Sequence, residues 1–284
     1  MINDSDLAAG YAVGHYSSSA VTIIKKIQNI LLDLMHEKFP NSSELSLERY
    51  QEITGLNDAT HEDFHFEATK VLHSLGLVRS LMDTLKPDLI LILGTDIDIQ
   101  RYPHLRVTRP FSKSDNLGLH RDIDYGASIY EISVWTPLLE LQYPGVGMLL
   151  LPESHTLGYS GLSLIESDTG ISPGSKKNLS GHLYKAKTVL LSNGQREQLV
   201  EPVIKLGQYL VIPQATVHGS ELNTSQGTRF SLDIRFCNSL IEDDKSTLSK
   251  RRSSSAVYGD DAYYSPFNQS QTQLNAQKFL IASE

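Results

Sequence analysis

Cysteine is almost absent: among 284 residues only Cys237 carries a thiol, so no disulfide can close within the chain, and neither a thiolate zinc site nor an iron–sulfur cluster finds its ligands. Positive charge is also scarce. Lys and Arg number 25 against 33 Asp and Glu, a formal net charge of −8. Tracking a phosphate backbone requires clustered cations that displace counterions, so nucleic acid is not an expected partner. Long apolar runs are missing too; stretches such as "LILIL" (89–93) are far too short to span a bilayer. The first residues, "MINDSDLAAGYAVGHYSSS", lack the basic segment and apolar stretch of a secretory leader. These absences lead us to expect a cytoplasmic protein with no membrane anchor.

What is present suits a globular protein: 40% of the residues are hydrophobic, enough for a sizeable core. We expect one domain over 1–284, without internal repeats. Residues 1–86 read as helical, because "AVTIIKKIQNILLDLMHEKF" places Val21, Ile24, Ile27, Ile30, Leu31 and Leu34 on one stripe, and "HEDFHFEATKVLHSLGLVRSLMDTL" continues the pattern with a break at Gly76. Pro87 is expected to end this part. From 87 to 240 the texture changes to short β-type runs, among them "DLILIL", "DIDIQRYP", "LRVTRP", "YEISVWTPL", "GMLLLP", "KTVLL", "EPVIKL", "QYLVIP" and "RFSLDIRF". Many short strands separated by Gly, Pro, Ser and Asn point to a barrel or jelly roll. The polar stretch 156–183 reads as a lid or insertion. Residues 241–284 read as a polar C-terminal extension with a last helix near 273–281.

The motif that raises chemistry is "LGLHRDIDYG" (117–126), with His120 and Asp122 two residues apart. With 10 His and 33 acidic residues, about one His-x-Asp/Glu pair arises by chance, so the spacing alone is weak. His61–Asp63 and His65–Glu67 share it, but they lie in a helical pattern, where positions two apart point away from each other. These read as surface or packing residues. Around His120 the chain reads as extended, and there a period of two turns both side chains to one face. His218, after an apolar strand and a proline-containing turn, offers a third ligand, and two histidines with one carboxylate leave open positions on a non-haem Fe(II). Arg229, eleven residues beyond His218, can clamp a carboxylate through two parallel hydrogen bonds, with the Ser231 hydroxyl beside it. Arg235, on the same strand face, is a rival. Ser154–His155 reads as turn structure rather than a nucleophile and its base.

The ordered series "HRD", "VWTPL", "GMLLLPESH" and "VHGSELNTSQGTRFS" resembles the phytanoyl-CoA dioxygenase-like group of Fe(II)/2-oxoglutarate-dependent oxygenases, over roughly residues 115–236. That resemblance implies a double-stranded β-helix, a cupin-like jelly roll with helices packed outside it. It implies Fe(II) on His120, Asp122 and His218, the far carboxylate of 2-oxoglutarate on Arg229, and contacts to this cosubstrate from Ser220 and Trp135. The reaction implied is decarboxylation of 2-oxoglutarate with O2 and hydroxylation of an aliphatic C–H bond. One departure is visible: "QYPGVGMLLLPESH" lacks the Asn-Gly usual before the Leu-rich strand and has Glu153 where Gly is common.

Tyr102, Arg109, Asn116 and Arg121 are candidates for substrate contact, amid a mixture of charges that also includes Arg101, His104, Arg106, Lys113, Asp124 and Glu131. This points to a small polar or zwitterionic metabolite, and the resemblance implies natural-product tailoring ahead of a sugar or glycan precursor. A non-oxygenase metal protein of cupin type, whether a hydrolase, an epimerase or a sugar-binding module, is the contrasting class. The set Arg229, Ser231, Ser220 and Trp135 is what such a protein would not need.

Overall fold

The structure, a computed structural model, describes residues 7–42, 45–55, 57–158, 161–183, 185–241 and 264–266. The helical stripe read from the sequence becomes α1 (Ser18–Lys38), capped by the Ser17 hydroxyl, which accepts from Ala20 N at 3.3 Å. Its buried face is Ala20, Ile24, Ile27, Leu31, Leu34 and Met35. Each of the large aliphatic side chains contributes about 1.5–3 kcal/mol by leaving water. A short α2 (Tyr50–Thr54) precedes α3 (Asp58–Ser74), whose first turn is capped by Asn57. Gly76, at φ 65°, takes the left-handed conformation that separates α3 from α4 (Leu77–Asp83).

At Pro87 the structure departs from the expected boundary. "DLILIL" is not a strand; it belongs to α5 (Lys86–Leu93), and Pro87 lies in that helix's first turn. There a backbone N–H has no intrahelical acceptor, so the proline opens the helix instead of stopping it. A short apolar run carries no period of its own, and Gly94 provides the stop, its N–H bonding Ile90 O at 2.9 Å.

Two antiparallel layers follow. The larger sheet runs β1 (Ala12–His15), β8 (Gln208–Pro213), β4 (Glu131–Pro137), β10 (Arg229–Asn238), β2 (Ile97–Gln100), β11 (Tyr264–Pro266), with β3 (His104–Thr108) also on β10. The ten-residue β10 is long enough to pair with β3 over Arg229–Asp233 and with β2 over Phe236–Asn238. The opposing layer is built from β5 (Leu149–Leu150) and β9 (His218–Gly219), extended by isolated bridges from Leu150 to Val200 and from His120 to His218. On its far side β6 (Ser163–Asp168) and β7 (Lys185–Leu190) form a hairpin, joined to this layer by Val189 N to Leu119 O. Layered in this way, the strands make the jelly roll expected from the sequence.

Period two divides the larger sheet into two chemistries. One face presents Ile132, Val134, Phe230, Leu232, Ile234 and Phe236 to α1 and the other helices, and these form the main apolar core. The other face carries Ser133, Trp135, Arg229, Asp233 and Arg235 toward the smaller layer, where they line a cavity.

Further departures are local. β1 was not expected from the N-terminal sequence, and "EPVIKL" is not a strand. The stretch 156–183 contains β6 and a short α6 (Lys176–Leu179), and Thr169, Ile171, Lys177, His182 and Leu183 help to line the cavity. Of the expected C-terminal extension, Tyr264–Pro266 pairs with β2; the helix expected near 273–281 lies outside the described residues.

Candidate metal centre

His120 and His218 sit directly opposite each other and exchange both backbone hydrogen bonds, at 2.8 and 2.9 Å, which fixes their side chains next to one another. Their ring centroids are 4.5 Å apart. Asp122 joins them at the start of a single 3₁₀ turn, Asp122–Tyr125, so the extended chain expected for it ends one residue earlier, at Arg121. His120 Nε2 lies 3.6 Å from Asp122 Oδ1, and His218 Nε2 lies 4.0 Å from Oδ2. One ligand atom from each of the three lies within 4.8 Å of the others, and all three residues are buried.

The hydrogen bonds behind the rings select the tautomer. A carbonyl oxygen only accepts, so His120 Nδ1 donates to Gly118 O at 2.8 Å and His218 Nδ1 donates to Thr216 O at 2.9 Å. Both Nε2 lone pairs are left facing Asp122, the arrangement of second-sphere support found for metal-binding histidines. Burial holds the His120 imidazole down at about 4, with the neighbouring His218 acting in the same direction. Burial pulls the Asp122 carboxyl upward, but Arg235 foremost, then His218 and His120, outweigh it and hold the group at about 2. Neutral imidazole and ionised carboxylate are the forms a divalent cation needs, and the donor set fits one.

Arg235, the rival anchor, is committed elsewhere: its Nη2 donates to Asp122 Oδ2 at 2.9 Å. Gln214 flanks the same carboxylate. With its amide nitrogen turned toward Asp122 it donates to Oδ2, while its oxygen accepts from Ser133 Oγ at 2.9 Å and Ser133 N at 3.1 Å.

Arg229 faces the same cavity, of about 350 Å³, from the neighbouring stretch of β10. It is 4% exposed and makes no ion pair among the described residues. Nη1 donates to Val146 O at 2.8 Å and Gly147 O at 3.0 Å, and Nη2 donates to Thr108 Oγ1 at 3.0 Å. Nε has no partner. Three of the five N–H donors are thus used, and those left lie on Nε and Nη2, where a carboxylate can accept two parallel bonds. Burial lowers the guanidinium to about 10, opposed by Tyr143 and Glu201, so it is still a cation at neutral pH. A buried cation without an acid is costly unless a ligand completes it.

Among the other expected cosubstrate residues, Trp135 lines the cavity with its ring 5.8 Å from the Arg229 guanidinium carbon and its Nε1 without a partner. Ser220 lines it too, its hydroxyl donating to Asn116 Oδ1 at 3.2 Å. Ser231 is fully buried beside Arg229 on β10, its Oγ unpartnered, but it is not part of the cavity lining.

The candidate substrate residues divide. Asn116 lines the cavity; Tyr102, Arg109 and Arg121 do not. Arg109 is fully buried in a bidentate pair with Asp115 (2.8 and 2.8 Å) and a further bond to Asp58. Arg121 is buried against both carboxylate oxygens of Asp124 and the carbonyl of Gly158. Tyr102 packs its ring against His73 at 5.3 Å. Period two does not reveal which charges a fold neutralises internally. His61 and His65 are packing residues, 3% and 2% exposed, with His61 Nδ1 3.1 Å from Tyr50 OH and His65 Nε2 donating to Leu105 O. The Ser154 hydroxyl is spent on Leu151 O and Val217 N, as a turn brace. Lys177, His182 and Thr108 were not singled out in the sequence and do line the cavity; Asp233 also does, and its place on the Arg229 face follows from strand period alone.

No protein-family model matches the chain, and no curated protein matches it in sequence. Among solved structures it is similar to the non-heme monooxygenase ThoJ in its apo form, with 15% identity, 81% of this chain and 75% of that one covered, and a TM-score of 0.46. It is also similar to EvdO2 from Micromonospora carbonacea var. aurantiaca complexed with 2-oxoglutarate (15%, 86% and 96%, 0.45). A third is EctD from S. alaskensis with 2-oxoglutarate and 5-hydroxyectoine (15%, 81% and 72%, 0.41). No helix among the described residues is long and apolar enough to cross a membrane.

Proposed function

We propose that this chain is an Fe(II)- and 2-oxoglutarate-dependent oxygenase that hydroxylates an aliphatic C–H bond of a small polar metabolite in natural-product tailoring. The observation that carries the reading is the coexistence, in one cavity, of a buried His–Asp–His cluster and a buried guanidinium without an acid partner. His120, Asp122 and His218 would hold the ferrous ion, which the keto acid and O2 could then reach from the cavity. Arg229 would take the far carboxylate of 2-oxoglutarate, beside Trp135 and Ser220, which line the same cavity. When bound, iron supplies redox chemistry in which O2 and 2-oxoglutarate yield succinate, CO2 and one oxygen atom inserted into the substrate C–H.

The protein's part is position and dryness. Gly118 O and Thr216 O aim the two imidazoles, Arg235 holds the Asp122 carboxylate ionised, and Gln214 donates to it. Lys113, Asn116, Thr169, Lys177 and His182 line the cavity as well, and they suit a polar substrate better than an acyl chain. A sugar or glycan precursor is the alternative substrate. A hydrolase or sugar-binding module would have no use for a lone buried cation facing the metal cluster, which disfavours that class.

The test is anaerobic addition of Fe(II) and then 2-oxoglutarate, which should produce a metal-to-ligand visible absorption band, followed by succinate release on admitting air. A metabolite screen for enhanced succinate and a product heavier by one oxygen would identify the substrate. His120→Ala, Asp122→Ala and His218→Ala should each lose the band and succinate release; succinate formed at the wild-type rate by these variants would remove the assignment.

A further inference from the structure

Between β4 and β5 the turn "YPGVG" (143–147) lies against Arg229, and its backbone is pinned from the other side by Glu201. The Glu201 carboxylate accepts from three consecutive amides: Gly145 N at 2.8 and 3.0 Å, Val146 N at 3.1 Å and Gly147 N at 2.6 Å. Successive N–H groups converging on one anion form a nest. The carbonyls of Val146 and Gly147 point the opposite way, onto Arg229 Nη1 at 2.8 and 3.0 Å.

One peptide unit spans the two charges. The C=O of Val146 and the N–H of Gly147 belong to the same planar group, so its dipole has the positive end on Glu201 and the negative end on Arg229. Backbone shape at this point depends on glycine. Gly145 sits at φ 89°, and a Cβ on Gly147 would lie 2.9 Å from Glu201 Oε1. The motif departure seen in this part of the sequence thus has a structural counterpart: the turn is shaped to receive a carboxylate.

We infer that Glu201 is a positioning residue for the keto-acid anchor: through the Gly145–Gly147 backbone it fixes the direction and offsets the charge of Arg229 while leaving its Nε–H and one Nη2–H unpartnered. The inference rests on the reading of Arg229 as the 2-oxoglutarate anchor. Direct pairing of Glu201 with Arg229 would neutralise the guanidinium but consume the edge that a ligand needs. Placing a peptide unit between them supports the cation from behind and leaves Nε–H and one Nη2–H without a partner.

The experiment measures 2-oxoglutarate affinity of the Fe(II)-loaded protein from the visible band, with KM and kcat for 2-oxoglutarate from succinate release, in wild type, Glu201→Gln, Glu201→Asp, Arg229→Ala and the double variant Glu201→Gln/Arg229→Ala. Expected is a roughly tenfold weaker affinity and a correspondingly higher KM in Glu201→Gln, with kcat at saturating 2-oxoglutarate and Fe(II) affinity within about twofold of wild type. Partial recovery is expected in Glu201→Asp. In the Arg229→Ala background the Glu201→Gln change should add nothing, because the two act on one contact. Wild-type affinity in a folded Glu201→Gln, or an effect that adds fully to Arg229→Ala, overturns the inference. Should Glu201→Gln lose its fold, Glu201→Asp in both backgrounds carries the same comparison. Absence of any band in wild type would instead strike the proposed function itself.

Discussion

Arg235 Nη2 lies 2.9 Å from Asp122 Oδ2, a contact between residues 113 apart in the chain, with the two side chains only 11% and 6% exposed. The pair keeps the carboxylate ionised whether or not a metal is present. Removing the cation from such a buried pair costs about 3–5 kcal/mol because the remaining charge is left uncompensated. Arg235→Met should therefore lower the urea midpoint of the metal-free protein, and a saturating divalent ion should restore much of the loss by replacing the missing positive charge. An equal loss with and without metal would show that the guanidinium contributes packing alone.

Arg229→Ala should chiefly weaken 2-oxoglutarate. Charged hydrogen bonds contribute about 1.5–3 kcal/mol, so the apparent KM should rise at least about tenfold while kcat at saturation changes less. A Michaelis constant equal to that of wild type would place the anchor elsewhere, and since Arg235 is tied to Asp122, no second arginine on β10 is free to take that part.

Arg109 was a candidate for substrate contact and is instead locked by Asp115 and Asp58. We expect Arg109→Met to lower stability by about 3 kcal/mol, read in urea melts, through the stranded Asp115 carboxylate. Its KM for 2-oxoglutarate should not move. A stable variant with a changed cosubstrate KM would reverse this placement.

Acid should destabilise the protein through its packing histidines. His65 and His73 donate Nε2–H to Leu105 O and Pro103 O, each at 2.8 Å, and burial pushes both from 6.5 down to about 4. Between those values the unfolded chain takes up protons that the folded chain refuses, so stability falls as pH drops through this window. The slope is about 1.4 kcal/mol per pH unit for each such histidine. Urea midpoints measured at near-neutral pH and at about pH 5 should differ accordingly, and His65→Gln should flatten the slope. Midpoints that do not change over that range would contradict the burial argument.

What the sequence by itself determined is periodic or ordered along the chain. The apolar stripe of α1 and the alternation along β4 and β10 follow from residue spacing, because local geometry repeats at 3.6 or 2 residues wherever the chain runs, while the grouping of His120, Asp122, His218 and Arg229 rested on the order of the motifs and the resemblance they carry. Boundaries were less legible: Pro87 looked like a stop and is a start, since a proline disrupts the middle of a helix but suits its first turn. Only the tertiary structure decided which charges are spent. Arg109, Arg121, Arg229 and Arg235 look alike as letters, yet Asp115, Asp124 and Asp122 pair with three of them and leave Arg229 without an acid partner among the described residues, because ion pairing depends on distances that folding sets between remote residues. The same holds for Glu201, whose link to Arg229 passes through a backbone turn that no side-chain pattern records.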